Sequence, residues 1–519
     1  MARRPWFWVI LLASSLHGLG IARSLVPAQD GLKFIRVARQ FQTQPWTDVV
    51  RNTDRHPLYP AFVALAQPAV ALLAGNGPAS WRVAAQAVSA LASIALLVPL
   101  YYLTRSLFNG RAAFLAALLF VLLPLPAEVG HDTLSDSLAL LCNMVALCLG
   151  AEALRSPRLA PALGCGLAAG LGYLTRPEVV LVALAVMGAG LFGRLRREVC
   201  LPPAWRLATI AVACFSVVGT YALIKGEVSE KLALRWGAAL PSRHDAPRKV
   251  KPWLPPGLDD PHWDFSAKEE SEAPARASAI VAAGRVLSIW AEDLGWILAP
   301  LAVLGAWRLR ASESHRSTQR MLALYIILFT LILVRHTMTL GYLSGRHALT
   351  LVLVSLPWSA AMIVAIGDRL AARRSWDDAR RLRWRIVCLG ALVVAGLVVQ
   401  ARSAHPSRWG HWAAGRWLAQ HMDPSEAVLD TRGWASFVSD RTSYDYWHVR
   451  QAFTDAKLAY IVVGTDELSA NSRRGATLQA VLAYAATPVI SFPEREGGAD
   501  PGVAIYRFHR PESWEGLRP

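Results

Sequence analysis

The feature that most constrains this chain is a recurrence of long apolar runs almost free of charge. They fall at Trp6–Val26, Arg82–Leu103, Ala112–Pro126, Thr133–Glu152, Leu159–Thr175, Val179–Gly193, Trp205–Ile224, Arg285–Ala306, Met321–Arg335, His347–Ile366 and Ile386–Gln400. A helix crossing a bilayer needs about 20 mostly apolar residues. The pattern therefore predicts a mostly α, polytopic membrane protein with about eleven transmembrane helices. Leu58–Ala74 is also apolar, but Pro60 and Pro68 interrupt it, and it reads as a helix dipping into the membrane interface. The first run follows Arg3 and Arg4, as a signal peptide would. With so many spans behind it, an uncleaved first span is the preferred reading.

Composition bounds what lies outside the spans. Of 519 residues, 54% are hydrophobic and 18% charged, with a mean hydropathy of +0.31. That excludes disorder and disfavours a soluble enzyme. It also leaves too much charge for a chain wholly in lipid. The net charge of +17 first suggests a polyanion partner. Its distribution argues otherwise. With the N-terminus cytoplasmic, the inner segments 1–5, 104–111, 153–158, 194–206, 307–320 and 367–385 carry about 21 Arg and Lys. The short outer connections carry about three. Much of the charge is a topology signal, and no motif or aromatic-basic platform supports nucleic-acid binding. Cys142, Cys148, Cys165, Cys200, Cys214 and Cys388 lie in or beside apolar runs with no CxxC pair, which argues against a disulfide framework or cysteine zinc site.

An odd span count puts the C-terminus outside with three polar pieces: Pro27–Pro57, Gly226–Gly284 and the tail from Ala401 to Pro519. The expected division is a membrane domain over 1–400, with outer loops 27–81 and 226–284, and a small extracytoplasmic α/β domain over 401–519. In the tail, Trp412–His421 and Gly475–Ala485 read as helices, and Ala427–Leu429, Leu458–Val463 and Val503–Phe508 as strands. No nucleophile elbow or phosphate-binding loop occurs there. Gly164–Gly170 superficially resembles a dinucleotide loop, but within a span close helix packing is the better account. The loop 226–284 pairs Arg235, Arg243, Arg248, Lys249 and Lys251 with a following acidic stretch, and prolines break any regular element. A lid and a mobile solvated loop are equal readings of it.

Ionisable residues gather at the outer ends of the spans. Asp30 follows the first span, and its simplest reading is a cap for a helix over 31–41. Asp54-Arg55-His56-Pro57-Leu58-Tyr59 reads as a turn before the interfacial helix. Glu128, His131, Asp132 and Asp136 fall within nine positions, and Asp132 and Asp136 would share a helix face if the span begins at 133. Capping explains Asp132 but not a carboxylate one turn deeper. Arg176-Pro177-Glu178, Arg335-His336, Tyr342 and Arg346-His347 mark later outer turns. Snorkelling is the bland reading of these arginines, but a guanidinium fork also suits a phosphate. Carboxylates and cations converging on one face would suit an enzyme joining a membrane-anchored phosphate to an outer hydroxyl: the carboxylate takes the hydroxyl proton and the cations hold the departing phosphate.

These motifs, in this order and at outer span ends, resemble the GT-C glycosyltransferases, in particular the protein O-mannosyltransferase and aminoarabinose transferase group. They are Asp30-Gly-Leu-Lys-Phe, His56-Pro57-Leu58-Tyr59, Thr133-Leu-Ser-Asp136-Ser-Leu, Tyr173-Leu-Thr-Arg176-Pro177-Glu178 and Tyr342-Leu-Ser-Gly-Arg346-His347, and the resemblance covers about residues 1–400. It implies an inverting transferase moving a sugar from a polyprenyl-phosphate donor to an extracytoplasmic hydroxyl acceptor on protein, lipid or glycan, in a bacterial inner membrane. Asp30 would be the catalytic base, and Asp136 or Asp132 the second acidic group. Arg346, His347 and Arg176 would hold the donor phosphate, with His56, Tyr59, Glu128, His131, Glu178 and Tyr342 as further substrate-binding positions. Family members often carry a double acid after the first span. Here Gly31 follows Asp30, so a divalent metal is possible but not indicated, and no cofactor is expected. Rival readings are a flippase of lipid-linked sugars, which would place its charges near midplane in paired repeats, and a non-catalytic scaffold. The enzyme reading requires Asp30, Asp136 and Arg346 to line one outward-facing cavity.

Overall fold

The computed structural model describes residues 5–196, 203–226, 277–309, 315–400, 405–469 and 473–514. Most of the loop 226–284, at 227–276, lies outside them, so the lid and mobile-loop readings are not addressed. Each expected span contains a helix. Seven helices are long and apolar enough to cross a membrane: Pro78–Leu107, Asp136–Ala153, Pro177–Leu195, Ala204–Lys225, Arg316–Leu340, Gly345–Arg373 and Asp378–Gln400. Two further spans are broken helix pairs, so the described residues hold up to nine. The expected spans at Trp6–Val26 and Leu159–Thr175 correspond to the shorter helices Pro5–Arg23 and Ala160–Tyr173.

The breaks have local causes. Gly110–Leu122 and Pro124–His131 meet at 65°. Leu123 precedes a proline, takes an extended conformation (ψ 134°) and ends the first helix. The span expected over Arg285–Ala306 is in fact two helices, Ala279–Leu294 and Leu298–Arg308, bent by 104°. They part at Gly295, whose φ of +89° L side chains rarely adopt. Leu58–Ala74 is a helix despite Pro68, and it leaves Leu65, Leu72 and Leu73 exposed, as an interfacial helix would.

Packing follows small residues. A Cβ on Gly166 would lie 2.5 Å from the Ile210 carbonyl oxygen, and one on Gly170 would lie 2.8 Å from Val217 Cβ. The glycine run is therefore where helices 160–173 and 204–225 touch, not a phosphate loop. At the bundle end away from Asp30, Asp368 pairs with Arg111 and Arg385 at 3.0 Å each, and Arg206 reaches the Ser156 carbonyl at 2.8 Å. The segments expected on one side of the membrane thus meet one another.

The tail forms a five-stranded sheet of order β2-β1-β3-β5-β4, with β1 Ala427–Asp430, β2 Thr442–Tyr444, β3 Leu458–Gly464, β4 Ala486–Pro493 and β5 Pro501–Phe508. β1 pairs parallel with β2 and β3, and β5 pairs antiparallel with β3 and β4. Buried β3 is apolar on both faces, which a covered central strand requires. Helix Trp409–His421 packs on the sheet through Ala414 and Leu418, and helix Arg473–Ala485 covers it through Leu478, Val481 and Leu482.

Candidate active site

Two helix starts and one late span carry the central charges. Asp30 is not a cap. The helix runs Gln29–Thr43 from Ala28, and Asp30 lies in its first turn. Its carboxylate projects to Arg346 in the first turn of helix Gly345–Arg373, with Nη2 to Oδ2 at 3.0 Å, and to Arg55, with Nη2 to Oδ1 at 3.7 Å. Arg55 is in turn 3.4 Å from Asp54. Burial pushes the Asp30 carboxyl up, but the Arg346 hydrogen bond and the Arg55 and Arg346 charges outweigh it and hold the carboxyl below the usual carboxylate range. The two guanidinium groups thus favour the anionic form of Asp30.

Asp132 and Asp136 do not share a helix. The span begins at Asp136, and Asp132 ends the preceding helix, its N–H donating to the Glu128 carbonyl. The turn Thr133-Leu-Ser separates them, so they take different partners. Asp136 is buried and ion-paired to Arg176 at 2.5 Å. Asp132 is buried too. Its Oδ1 accepts from the N–H groups of Ala28 at 3.0 Å and Thr133 at 2.7 Å. Its Oδ2 faces Arg408 at 3.5 Å and His405 at 3.3 Å, and His405 is also 3.3 Å from Glu128. Burial pushes the Asp132 carboxyl up, but the contacts with His405, Arg408 and the Thr133 N–H prevail and bring it down to about 2. Asp132 thus braces the segment leading to Asp30.

The three acids differ in access: the Asp30 side chain is 39% exposed, against 5% and 4% for Asp132 and Asp136. Arg346 lies within electrostatic reach of all three. His347 is beside it, with its ring 4.8 Å from that of His336 and 6.5 Å from that of Tyr342, which is exposed. Glu178 is half-buried in the single turn Pro177–Val180 behind Arg176.

Two residues expected to bind substrate also have packing partners. Tyr59 is fully buried, donating to the Ala85 carbonyl at 2.9 Å and 3.1 Å from the Ser89 hydroxyl. Its phenol ties the interfacial helix to helix 78–107. His56 is buried with its ring 5.5 Å from Tyr173 and 5.9 Å from Tyr221. Both secure the interfacial helix, and Tyr59 lies within electrostatic reach of Asp132 and Asp136. Glu128 and His131 line a cavity of about 620 Å³ with His405, Arg408 and Arg495. Among the described residues, no three His, Cys, Asp or Glu side chains lie close enough to share a metal ion. Both Asp30 oxygens face guanidinium groups, so this arrangement does not fit a divalent cation there.

Sequence reasoning passed over Arg55, His405, Arg408 and Trp434. Arg55 stands beside a singled-out histidine but reads as part of a turn. The other three reach the cluster across more than 270 residues, and no local pattern marks that.

Comparison with known proteins extends this. Residues 56–221 match the family model for dolichyl-phosphate-mannose-protein mannosyltransferases, a stretch that includes Asp132, Asp136 and Arg176. ArnT from Cupriavidus metallidurans, solved with undecaprenyl phosphate bound, is 13% identical, with a TM-score of 0.58 over 98% of this chain and 99% of that one. The chain has the GT-C fold. An oligosaccharyltransferase from Archaeoglobus fulgidus shares this GT-C architecture at 13% identity, with a TM-score of 0.60 over 89% of this chain and 69% of that one. The archaeal enzyme AglB from the same organism, solved with an inhibitory peptide and a dolichol-phosphate, matches at 13% identity and a TM-score of 0.54, over 99% of this chain and 74% of that one. No match is found among curated proteins.

Proposed function

We propose that the chain is a membrane glycosyltransferase that moves a sugar from a polyprenyl-phosphate donor to a hydroxyl acceptor at the extracytoplasmic face, with inversion at the anomeric carbon. The observation that carries this reading is the meeting of one accessible carboxylate, Asp30, with Arg346 and Arg55, next to the buried Asp136–Arg176 pair. Structures of this fold solved with undecaprenyl phosphate and dolichol-phosphate support a lipid-phosphate donor.

The chemistry follows from an exchange of ion pairs. The donor phosphate competes with Asp30 for Arg346, and a guanidinium fork suits phosphate oxygens at least as well as a carboxylate. Once Arg346 turns to the phosphate, Asp30 loses its strongest stabilising partner and gains basicity. The acceptor oxygen attacks the anomeric carbon and its proton passes to Asp30. The bond from that carbon to the phosphate oxygen breaks, and polyprenyl phosphate leaves with its charge held by Arg346 and, behind it, Arg176. A single displacement inverts the configuration. Asp132 is assigned to holding the turn and Asp136 to fixing Arg176. In this reading the charged end faces outward and the tail is an extracytoplasmic domain of a bacterial inner-membrane protein.

The test is reconstitution of the full chain in proteoliposomes with a panel of radiolabelled polyprenyl-phosphate sugars, each with hydroxyl-bearing lipids, glycans and peptides. The reading expects release of polyprenyl phosphate and acceptor-dependent transfer from at least one donor. Acceptor-independent movement of the lipid-linked sugar across the bilayer with no transfer would instead favour a flippase.

A further inference from the structure

The tail meets the membrane part at several points, and one of them falls just before Asp30. The indole Nε1 of Trp434 donates to the carbonyl of Pro27 at 2.9 Å, a contact spanning 407 residues. Pro27 belongs to the short segment between the first helix and Asp30. The next residue, Ala28, donates its N–H to Asp132 and to the Thr133 hydroxyl, both at 3.0 Å. On the other side Arg82 donates to the Ser24 carbonyl. The segment is thus held from the membrane part through Ser24 and Ala28, and from the tail through Pro27.

The tail's half of this grip is rigid by construction. Buried Asp430 accepts from the N–H groups of Arg432 at 3.1 Å and Ser436 at 2.8 Å, closing a turn around Trp434. Gly433 supplies the left-handed backbone (φ +75°) that starts helix Trp434–Ser439, and it packs against Leu32 of the Asp30 helix. The buried indole is flanked by the His411 ring at 4.8 Å and the guanidinium groups of Arg408 at 5.4 Å and Arg432 at 5.8 Å. Arg408, which flanks the indole, also faces Asp132 at 3.5 Å, as His405 does at 3.3 Å, so the tail meets both Pro27 and the carboxylate that holds Ala28.

We infer that Trp434 is a positioning residue of the transferase site: through Pro27 it fixes the start of the helix that carries Asp30, so the tail completes the active site. The inference rests on the transferase reading for its kinetic consequence, though not for the contact itself. Asp30 lies three residues from Pro27, and a shift of about 1 Å in a reacting group can lower a rate about 100-fold.

The experiment compares the wild-type full chain in nanodiscs with Trp434→Phe, which keeps a ring and removes the N–H. It also includes Phe453→Leu, which loosens the tail core far from the segment. Hydrogen exchange over residues 24–31 and transfer kinetics are read on the same samples. In Trp434→Phe, exchange over 24–31 should rise about 10-fold, the size expected for one lost hydrogen bond. Its kcat should fall about 10-fold to 100-fold with donor KM within about two-fold. Phe453→Leu should lower the melting temperature and leave kcat unchanged. The inference is overturned if exchange over 24–31 does not change in Trp434→Phe, if it rises while kcat stays at wild type, or if Phe453→Leu lowers kcat equally. Should the wild type transfer from no donor, the transferase reading fails, while the exchange data still decide whether Trp434 pins the segment.

Discussion

Gly31 offers a sharp perturbation, because the structure leaves no room for a side chain there. A Cβ at position 31 would stand 1.8 Å from the Thr133 hydroxyl oxygen, 2.7 Å from Thr133 Cβ and 2.8 Å from the Thr133 carbonyl oxygen. Ordinary contact begins at 3.4 Å, so Gly31→Ala requires a separation of about 1.6 Å that does not now exist. Thr133 has little freedom to yield: its hydroxyl accepts from Ala28, its N–H donates to Asp132, and its carbonyl belongs to the turn entering helix 136–153. The retreat falls on the helix start that carries Asp30, which would break its 3.0 Å contact with Arg346. Overpacking of this kind costs about 1–3 kcal/mol in stability. The displacement of Asp30 should lower kcat about 100-fold. The assay pairs thermal unfolding in detergent with initial transfer rates in proteoliposomes. Adding Thr133→Ala, which removes the hydroxyl oxygen and leaves the Cβ at 2.7 Å, should recover part of both losses. A Gly31→Ala variant with wild-type melting and rate would refute the reasoning. The same geometry explains why a second acid cannot follow Asp30 in this chain.

Two further outcomes follow from the ion pairs. Arg346→Gln should raise the donor KM about 10-fold to 100-fold, the weight of a charge-assisted phosphate contact. It should also move the acid limb of kcat/KM to higher pH, because Arg346 is the foremost group holding the Asp30 carboxyl down and burial then acts with less opposition; a full pH profile against wild type checks both. Asp132→Asn should destabilise the protein by about 3–5 kcal/mol, since it leaves Arg408 buried against a neutral group. Because the Asp132 carboxyl is depressed to about 2, its stabilising contribution is present above the unfolded value near 3.9 and lost as pH falls toward about 2. The stability gap between wild type and Asp132→Asn, followed by denaturant unfolding, should therefore narrow in acid.

Much of the membrane part was legible because burial in lipid imposes one local rule, a run of apolar residues, and every such run contains a helix. The bends at Leu123 and Gly295 were not, since a break inside an apolar run leaves hydropathy unchanged. Asp30, Asp136, Arg176 and Arg346 could be singled out because charge at a span end is costly and so informative. Their pairing could not, as it depends on contacts such as Asp30–Arg346 across 316 residues. The packing partners of His56 and Tyr59 were not legible, for a physical reason. A polar aromatic before an apolar helix can serve a site or fasten the helix, and the fastening shows only in the partners Tyr173, Tyr221, Ala85 and Ser89. In the tail, the buried strands β1, β3 and β5 announce themselves by composition. The three-residue β2 is too short to, and β4 contains Pro488 and Pro493, which an edge strand tolerates but a strand pattern does not advertise.

The most direct test of the central claim is single-turnover transfer from a radiolabelled polyprenyl-phosphate sugar by wild type and Asp30→Asn, with donor binding measured on the same preparations. The account predicts that Asp30→Asn stays folded and binds donor at least as well as wild type, because Arg346 is freed from its competing carboxylate, while its transfer rate falls by about 1,000-fold or more. Transfer by Asp30→Asn at the wild-type rate would contradict it.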